Sequence, residues 1–264
     1  MKLEANFVNS SALLAAAAAM AASTGSAGAA DLYQKARPVS APAPSWEGLY
    51  VGGSVGASWL NSTLDDSGAN VFGAYYGGSG LSQNANALGF IGGLQAGYNW
   101  QSRNFVYGLE GDFSWIAGGK ASANGSLVDY SGYATNKTSR VDALATFRAR
   151  FGIDMGGTLP YLTAGLAVGH IKNSYTLTAP AGYGAGGAIS SSKSSWEPGI
   201  VIGGGIEHQF SNSRWSVKGE VLWVGFKDTH YSAPAAAAYY AGTQGTVSSS
   251  NNMTIGRLGL NYRF

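Results

Sequence analysis

The C-terminal segment, 252–264, alternates between two kinds of side chain. One face is apolar and ends in aromatic residues: Leu258, Leu260, Tyr262 and Phe264. The other face carries Arg257 and Arg263. Because successive side chains of a β-strand point to opposite faces, the segment predicts a strand that crosses a membrane with its apolar face toward lipid. Such a strand needs partners, which the rest of the chain must supply.

Composition fits a surface that meets lipid, and it excludes several classes of protein. Only 11% of the 264 residues are charged, 12% are aromatic and 40 are glycine, whereas about 25% of an average soluble domain is charged. The absence of cysteine excludes disulfides, thiolate metal ligands and a lipid anchor on cysteine. The 16 basic and 14 acidic residues form no Lys/Arg cluster, so no nucleic-acid partner is predicted.

The N-terminus has the organisation of an export signal. An apolar, alanine-rich run at 12–22 precedes Ala27-Gly28-Ala29, which fits a signal-peptidase site. The run is too short for a helix that spans a bilayer. We predict three segments: a signal peptide at 1–29, a proline-rich periplasmic linker at 30–45 and an outer-membrane β-barrel at 46–264. An ordinary N-terminal helix is the alternative for the first of them.

Eight segments after residue 45 alternate with a period of two: 46–59, 87–100, 105–116, 140–153, 159–175, 195–210, 214–227 and 252–264. Each is long enough for a tilted membrane strand, which needs 9–11 residues. A secreted chain without apolar helices can cross a membrane only as a closed barrel. The pattern therefore predicts an all-β fold, an eight-stranded antiparallel up-and-down transmembrane β-barrel.

The connections between these segments alternate between short and long. Tight turns rich in Gly, Asn and Ser occupy 101–104, 155–158 and 211–213. Long polar connections occupy 60–86, 117–139, 176–194 and 228–251. Outer-membrane barrels have short periplasmic turns and long external loops, so the long connections are predicted to lie outside the cell. A soluble, lipocalin-like eight-stranded barrel is the alternative.

The sense of the alternation favours the membrane barrel. In 140–153 one parity is apolar, whereas the other carries charged residues such as Arg148 and Arg150. A lipocalin would hide the apolar face and expose the charged one. Six of the seven tryptophans fall on the apolar parity near strand ends, as the aromatic girdles of a membrane barrel require. The apolar face is therefore predicted to meet lipid.

Four stretches carry a family resemblance: WEGLYVGGSVGASW (46–59), GFIGGLQAGYNWQ (89–101), FVYGLEGDFSW (105–115) and LPYLTAGLAVG (159–169). They resemble the small outer-membrane immunogenic proteins, or opacity-type porin family, and the likeness extends over 46–264. The resemblance implies a surface antigen of the cell outer membrane that supports envelope structure and integrity. It implies as partners the outer-membrane lipids, lipopolysaccharide and the barrel assembly machinery. The terminal signal for that machinery would be Leu258, Leu260, Tyr262 and Phe264.

Twelve charged side chains fall on the parity predicted to face the barrel interior: Glu110, Asp112, Arg140, Asp142, Arg148, Arg150, Glu197, Glu207, Lys218, Glu220, Arg257 and Arg263. Buried charges persist only when they are paired and hydrogen-bonded. An eight-stranded barrel is just wide enough for side chains to fill it. The pattern predicts a salt-bridged plug. The alternative is a narrow path for ions or small solutes, lined by the same groups.

No catalytic residue, metal site or cofactor is predicted. The glycine-rich stretches lie inside strands rather than in phosphate-binding loops. His170 has Lys172 two residues on, and Ser174 lies too far along the strand for a direct hydrogen bond. A His/Ser/acid site of a lipid-modifying enzyme is therefore disfavoured, and a non-catalytic barrel is the preferred hypothesis.

Two further histidines give weaker hypotheses. His208, close to Phe210, is expected at the membrane interface. His230 lies in a tyrosine-rich external segment with Tyr231, Tyr239 and Tyr240, which leaves haem-like ligand binding by surface loops as another alternative.

Overall fold

A computed structural model describes five parts of the chain: 45–66, 82–126, 134–178, 188–233 and 245–264. The signal peptide at 1–29 and nearly all of the linker at 30–45 lie outside the described residues, so both stay predictions. The regular structure of the described residues is all β-strand. They include no helix of the length and apolarity needed to span a membrane.

The described residues form ten antiparallel strands in a single sheet. In chain order these are β1 (Gly48–Asp66), β2 (Ser82–Ser102), β3 (Phe105–Gly118), β4 (Ala121–Ser126), β5 (Ala134–Ile153), β6 (Thr158–Thr178), β7 (Ala188–Gln209), β8 (Trp215–Phe226), β9 (Thr229–Ala233) and β10 (Gly245–Arg263). Strand β4 follows β3 along β5, and β9 follows β8 along β10. The ten strands therefore occupy eight positions around the sheet.

Pairing of the first strand with the last closes the barrel. β1 pairs with β2 on one side and with β10 on the other, where residues 50–66 lie opposite 247–263. The Phe264 amide also donates a hydrogen bond of 3.0 Å to the Leu49 carbonyl. Closure leaves the membrane-spanning strands without an unpaired edge in lipid. The predicted eight-stranded antiparallel barrel is confirmed.

From the end with the tight turns to the middle of the barrel, the outward side chains are apolar and exposed. Along β3 exposed and buried positions alternate, with Phe105, Tyr107 and Leu109 on the outside. The six tryptophans predicted to lie in aromatic girdles are all on the outside: Trp59, Trp100, Trp115, Trp196, Trp215 and Trp223. A large exposed apolar surface of this kind requires lipid around it.

Several strands extend well beyond the predicted segments. Strand β7 has 22 residues, and much of the four connections predicted as loops is strand. Polar ladders on the outer face explain this difference, because a backbone ladder does not need apolar side chains. Asn61 donates to Asn252 at 3.2 Å across β1 and β10, and Thr63 donates to Asn84 at 3.0 Å across β1 and β2. Polar residues on both parities hid these extensions from a search for apolar alternation.

The closing strand gives a first prediction. Deleting Phe264 should lower the yield of folded barrel in the outer membrane, because it removes the amide that bonds to Leu49 and the ring that lies edge-on to Tyr262 at 5.3 Å. Phe151→Ala is the matched control, since Phe151 is also an exposed aromatic residue near the tight turns. Quantification of the heat-modifiable band in outer-membrane fractions checks this. Equal yields of the two variants would contradict an assembly role for the C-terminus.

Candidate functional site in the barrel interior and at its outer rim

Eight charged side chains meet inside the barrel, and together we call them the interior charge cluster. Its members are Glu110, Asp112, Arg148, Arg150, Glu207, Lys218, Glu220 and Arg257. None is more than 7% exposed. They lie on the inward faces of β3, β5, β7, β8 and β10, so the period-two alternation of each strand brings them together.

Arg148 on β5 lies at the centre of the cluster. Its Nη1 donates to Glu220 Oε1 at 2.7 Å, and its Nη2 donates to Asp112 Oδ2 at 3.0 Å and to Glu110 Oε1. The planar guanidinium has five donors in a fixed fork, which suits several oxygens at once. One fully buried cation thus holds three carboxylates from two strands.

Arg257 and Lys218 neutralise the same carboxylates. Arg257 Nε donates to Glu220 Oε2 at 2.8 Å, and its two terminal nitrogens each lie 3.2 Å from an Asp112 oxygen. Lys218 Nζ lies 2.9 Å from both oxygens of Glu110. Each of these three carboxylates therefore contacts at least two cations.

A second group of contacts extends the cluster toward the tight turns. Arg150 donates to Glu207 Oε2 at 2.7 Å and to the Tyr50 hydroxyl at 3.1 Å. The Tyr50 hydroxyl in turn donates to Glu110 Oε2 at 2.7 Å. The Arg150 guanidinium also lies 4.1 Å from the centre of the Tyr161 ring, within the range of a cation–π contact. One arginine side chain and two tyrosine rings, with the carboxylates of Glu110 and Glu207, thus fill this level of the barrel.

The cluster is electrically balanced, with four carboxylates and four cations. Desolvation costs several kcal/mol per buried ion, and only dense pairing and hydrogen bonding offset that cost. The contacts above provide this pairing across the whole width of the barrel. A chain of mutually neutralised groups offers a passing ion no free charge to replace its hydration.

Arg140 and Asp142 do not face the interior, so their predicted place in the interior network is wrong. A β-bulge between Val141 and Ala143 inserts one extra residue into β5, and beyond it the inward parity changes from even to odd numbers. The Arg140 side chain is consequently 46% exposed, and its Nε lies 2.5 Å from Asp142 Oδ1. Strict alternation over 140–153 could not anticipate an inserted residue.

Glu197 and Arg263 keep the predicted parity but lie away from the cluster. Glu197 is near the outer end of the membrane-spanning part of β7, where it accepts a hydrogen bond of 2.5 Å from Ser195 Oγ. Arg263 is at the opposite end of the barrel, where its Nη1 lies 3.2 Å from Gln209 Oε1. Neither residue is part of an ion pair in the described residues.

The chain just before β1 covers the end of the barrel where the tight turns lie. Trp46 has no exposed surface and packs with Val106 and Leu159. The Arg263 guanidinium lies 4.7 Å from the Trp46 ring, and its Nη1 donates to the Ser45 carbonyl at 2.5 Å. We call Trp46, Val106 and Leu159 the Trp46 cap; it closes the barrel on the tight-turn side of the charge cluster.

An apolar layer fills the barrel on the outer side of the charge cluster, and the sequence analysis missed it. Its larger members are Leu60, Ile91, Ile116, Val141, Leu144, Ile171, Val201, Leu222, Val224, Phe226, Met253 and Ile255. The sequence pattern that indicates this layer is visible along β8, where the inward residues change from Glu220 to Leu222 and Val224. Gly203 leaves room for this packing, because a Cβ there would lie 2.7 Å from Leu222 Cδ2.

The displaced residues of β5 belong to a second group on the outside, which we call the outer-rim cluster: Arg140, Asp142, His170, Lys172, Ser194 and Trp196. Lys172 Nζ lies 2.7 Å from Asp142 Oδ2, so one carboxylate bridges two cations. His170 Nε2 lies 2.9 Å from Ser194 Oγ, and its ring centroid is 5.0 Å from that of Trp196. The register explains the grouping, because His170 lies opposite Trp196 and Lys172 opposite Ser194.

Ser194 is a hydrogen-bond partner of His170 that alternation along one strand does not predict, because it lies on the neighbouring strand β7. Asp142 Oδ2 lies 3.7 Å from His170 Nδ1, so a serine, a histidine and an acid do lie together. That distance is too long for a hydrogen bond, and both oxygens of Asp142 are engaged by Arg140 and Lys172. The carboxylate therefore does not orient His170 as the base of a catalytic triad.

The remaining candidates give no further site. His208 Nδ1 lies 2.9 Å from Thr158 Oγ1 beside a tight turn, as expected for an interfacial residue. Tyr239 and Tyr240 lie outside the described residues, and so do the side chains of His230 and Tyr231. In the described parts of the chain, no group of three or more His, Asp or Glu side chains could hold a metal ion.

A closed barrel with an apolar, tryptophan-bordered exterior and a packed interior defines an integral outer-membrane β-barrel protein. The chain is 31% identical over 229 residues to the 31 kDa outer-membrane immunogenic proteins of Brucella melitensis biotype 1 and Brucella suis biovar 1, a match that covers 81% of this chain and 86% of each relative. The chain therefore belongs to this family of outer-membrane immunogenic proteins. The predicted family and outer-membrane location are confirmed.

Other comparisons add less. No family profile matches the chain. Among solved structures, the outer-membrane protease OmpT of Escherichia coli aligns with 12% identity and a TM-score of 0.44, covering 82% of this chain and 97% of that protein. OprG of Pseudomonas aeruginosa aligns with 15% identity and a TM-score of 0.41, covering 83% and 97%. Likeness at this level carries no inference about function.

Proposed function

We propose that the chain is a non-catalytic structural barrel of the outer membrane, closed to solutes, which supports envelope integrity and carries surface-exposed antigenic segments. The observation that carries this proposal is the filling of the barrel at three successive levels. The Trp46 cap, the interior charge cluster and the apolar layer follow one another from one end toward the other. A barrel filled in this way supplies a rigid membrane-embedded body rather than a passage.

The filled interior opposes the passage of ions and of neutral solutes for different reasons. The balanced ion pairs give a passing ion no unpaired charge, and the apolar layer would strip its hydration without compensation. A neutral solute would have to displace packed side chains. The narrow channel therefore has no supporting observation among the described residues.

The non-catalytic part of the proposal rests on the state of the nucleophile candidates. Ser194 is the serine that bonds to a histidine, and the acid beside that histidine is held by two other cations. Charges of the interior cluster are buried in mutual pairs, so no outside substrate reaches them. We therefore assign the function to the barrel as a structural body and to its external segments.

Planar-bilayer recording tests the closed lumen. Refolded wild-type protein should show negligible conductance, because the three filled levels leave no aqueous path. A general porin reconstituted in the same way serves as the positive control. A large and stable single-channel conductance would overturn the proposed closed barrel and favour the small-solute channel.

The structural role is tested in the source bacterium. A strain that lacks the chain should become more sensitive to detergents and to apolar antibiotics, and the wild-type gene should restore resistance. Unchanged sensitivity in the deletion strain would contradict a role in envelope integrity, whatever the conductance measurement gives.

A further inference from the structure

We infer that the outer-rim cluster is a binding site for the phosphate groups of an outer-leaflet glycolipid, namely the lipid A part of lipopolysaccharide. The inference requires that the barrel lies in the outer membrane, but it does not depend on whether the lumen is closed. The three features that carry it are the outward position of two cations, their incomplete neutralisation and their height relative to the lipid-facing surface.

The β-bulge at Asp142 creates the site. If β5 alternated regularly through Asp142, Arg140 would share the inward parity of Arg148 and Arg150. Because the bulge takes up one residue, Arg140 instead points outward beside Lys172, and both side chains remain nearly half exposed. β-Bulges commonly re-aim a side chain in this way at barrel rims. The local irregularity of β5 thus places Arg140 beside Lys172 of β6 on the membrane-facing side.

Neutralisation of these cations is incomplete. Asp142 is the carboxylate in contact with both, so Arg140, Lys172 and Asp142 carry a net charge of +1. Their exposed donors are not saturated by one carboxylate, because a guanidinium has five N–H groups and an ammonium three. Ser194 adds a hydroxyl on the neighbouring strand, opposite Lys172. Two cations and a hydroxyl across three strands suit the several oxygens of a phosphate group.

The height of the cluster fits a lipid headgroup. Below it on the outside, toward the tight turns, lie Leu166 and Phe147, both more than half exposed in the lipid-facing belt. His170 and Trp196, whose rings are in tilted contact, lie further out along β6 and β7, and Trp is typical of the membrane–water interface. Arg140 and Lys172 lie one step further out. Cations just outside an aromatic girdle meet the phosphates of the lipid leaflet, whereas their stems cover apolar surface.

Lipid A titration tests the site on refolded, full-length barrel in uncharged detergent micelles, with native mass spectrometry as the readout. Arg140→Gln/Lys172→Gln should bind bisphosphorylated lipid A about 30-fold more weakly than wild type at low salt, which corresponds to the contribution of two cations near an anionic surface. Dephosphorylated lipid A should bind both proteins equally weakly. Asp142→Asn should tighten binding about fivefold, because it removes the competing carboxylate.

The matched control is Arg103→Gln/Arg214→Gln, which removes the same charge from two exposed turn residues at the opposite end of the barrel. It should bind lipid A like wild type. Equal affinity of wild type and Arg140→Gln/Lys172→Gln for the bisphosphorylated lipid would overturn the inference. Competition by inorganic phosphate at low concentration would also overturn it, by making the cluster a free-anion site. Release of fatty acid that is lost in Ser194→Ala would replace binding by hydrolysis.

Discussion

Replacing Arg148 by alanine is expected to lower the free energy of unfolding by about 3–5 kcal/mol, because it leaves buried carboxylates without one of their cations. The reason is the burial of its partners. Without the guanidinium, Glu110, Asp112 and Glu220 remain in a confined space with fewer cations than carboxylates. Urea unfolding in detergent micelles, followed by the loss of the compact, heat-modifiable gel band, measures the change.

Arg140→Ala is the matched control for this experiment. It removes the same side chain from the same strand, but Arg140 is on the outside and pairs with a partly exposed carboxylate. Exposed ion pairs contribute between 0 and about 1 kcal/mol, so this variant should unfold close to wild type. Equal unfolding midpoints for the two variants would show that water reaches Arg148 and that the interior is not packed.

Replacing Leu222 by asparagine is expected to lower the free energy of unfolding by about 3–6 kcal/mol. The change removes the burial of an apolar side chain, which contributes about 1.5–3 kcal/mol, and an amide without partners adds a desolvation penalty of about 1–3 kcal/mol. Leu222 has no exposed surface and lies at the level of the apolar layer. The same urea titration gives the value.

Leu88→Asn is the control, because Leu88 is an exposed leucine on the outer face of β2 at 62% exposure. Its amide would remain in contact with the interface, so the expected loss is below about 2 kcal/mol. If Leu222→Asn were tolerated as well as Leu88→Asn, the interior at this level would be wet. The proposed closed barrel would then lose one of its three levels.

The two experiments examine different physical barriers inside one barrel. The charge cluster depends on pairing, so its failure appears when one partner is removed. The apolar layer depends on the exclusion of water, so its failure appears when a polar group is introduced. Together they determine whether the interior behaves as the core of a protein or as a lined passage.

The sequence predicted the part of the interior that follows strict alternation. Arg148, Glu110 and Lys218 lie at positions where parity alone assigns the inward face, and the structure brings them within hydrogen-bonding distance. Parity says which face a side chain is on, but not which partner on another strand it meets. Those pairings depend on the register of β3 with β5 and of β8 with β10, which is a property of the whole sheet.

By itself, the sequence determined that this chain is an outer-membrane barrel with an apolar exterior and a charged interior, because a period of two is a local property of a strand. The tertiary structure decided the features that depend on neighbouring strands. The bulge at Asp142 moved Arg140 outside, the next strand brought Ser194 to His170, and the inward residues beyond Glu220 became an apolar layer. Each depends on cross-strand register and closure, which bring together residues far apart in the chain.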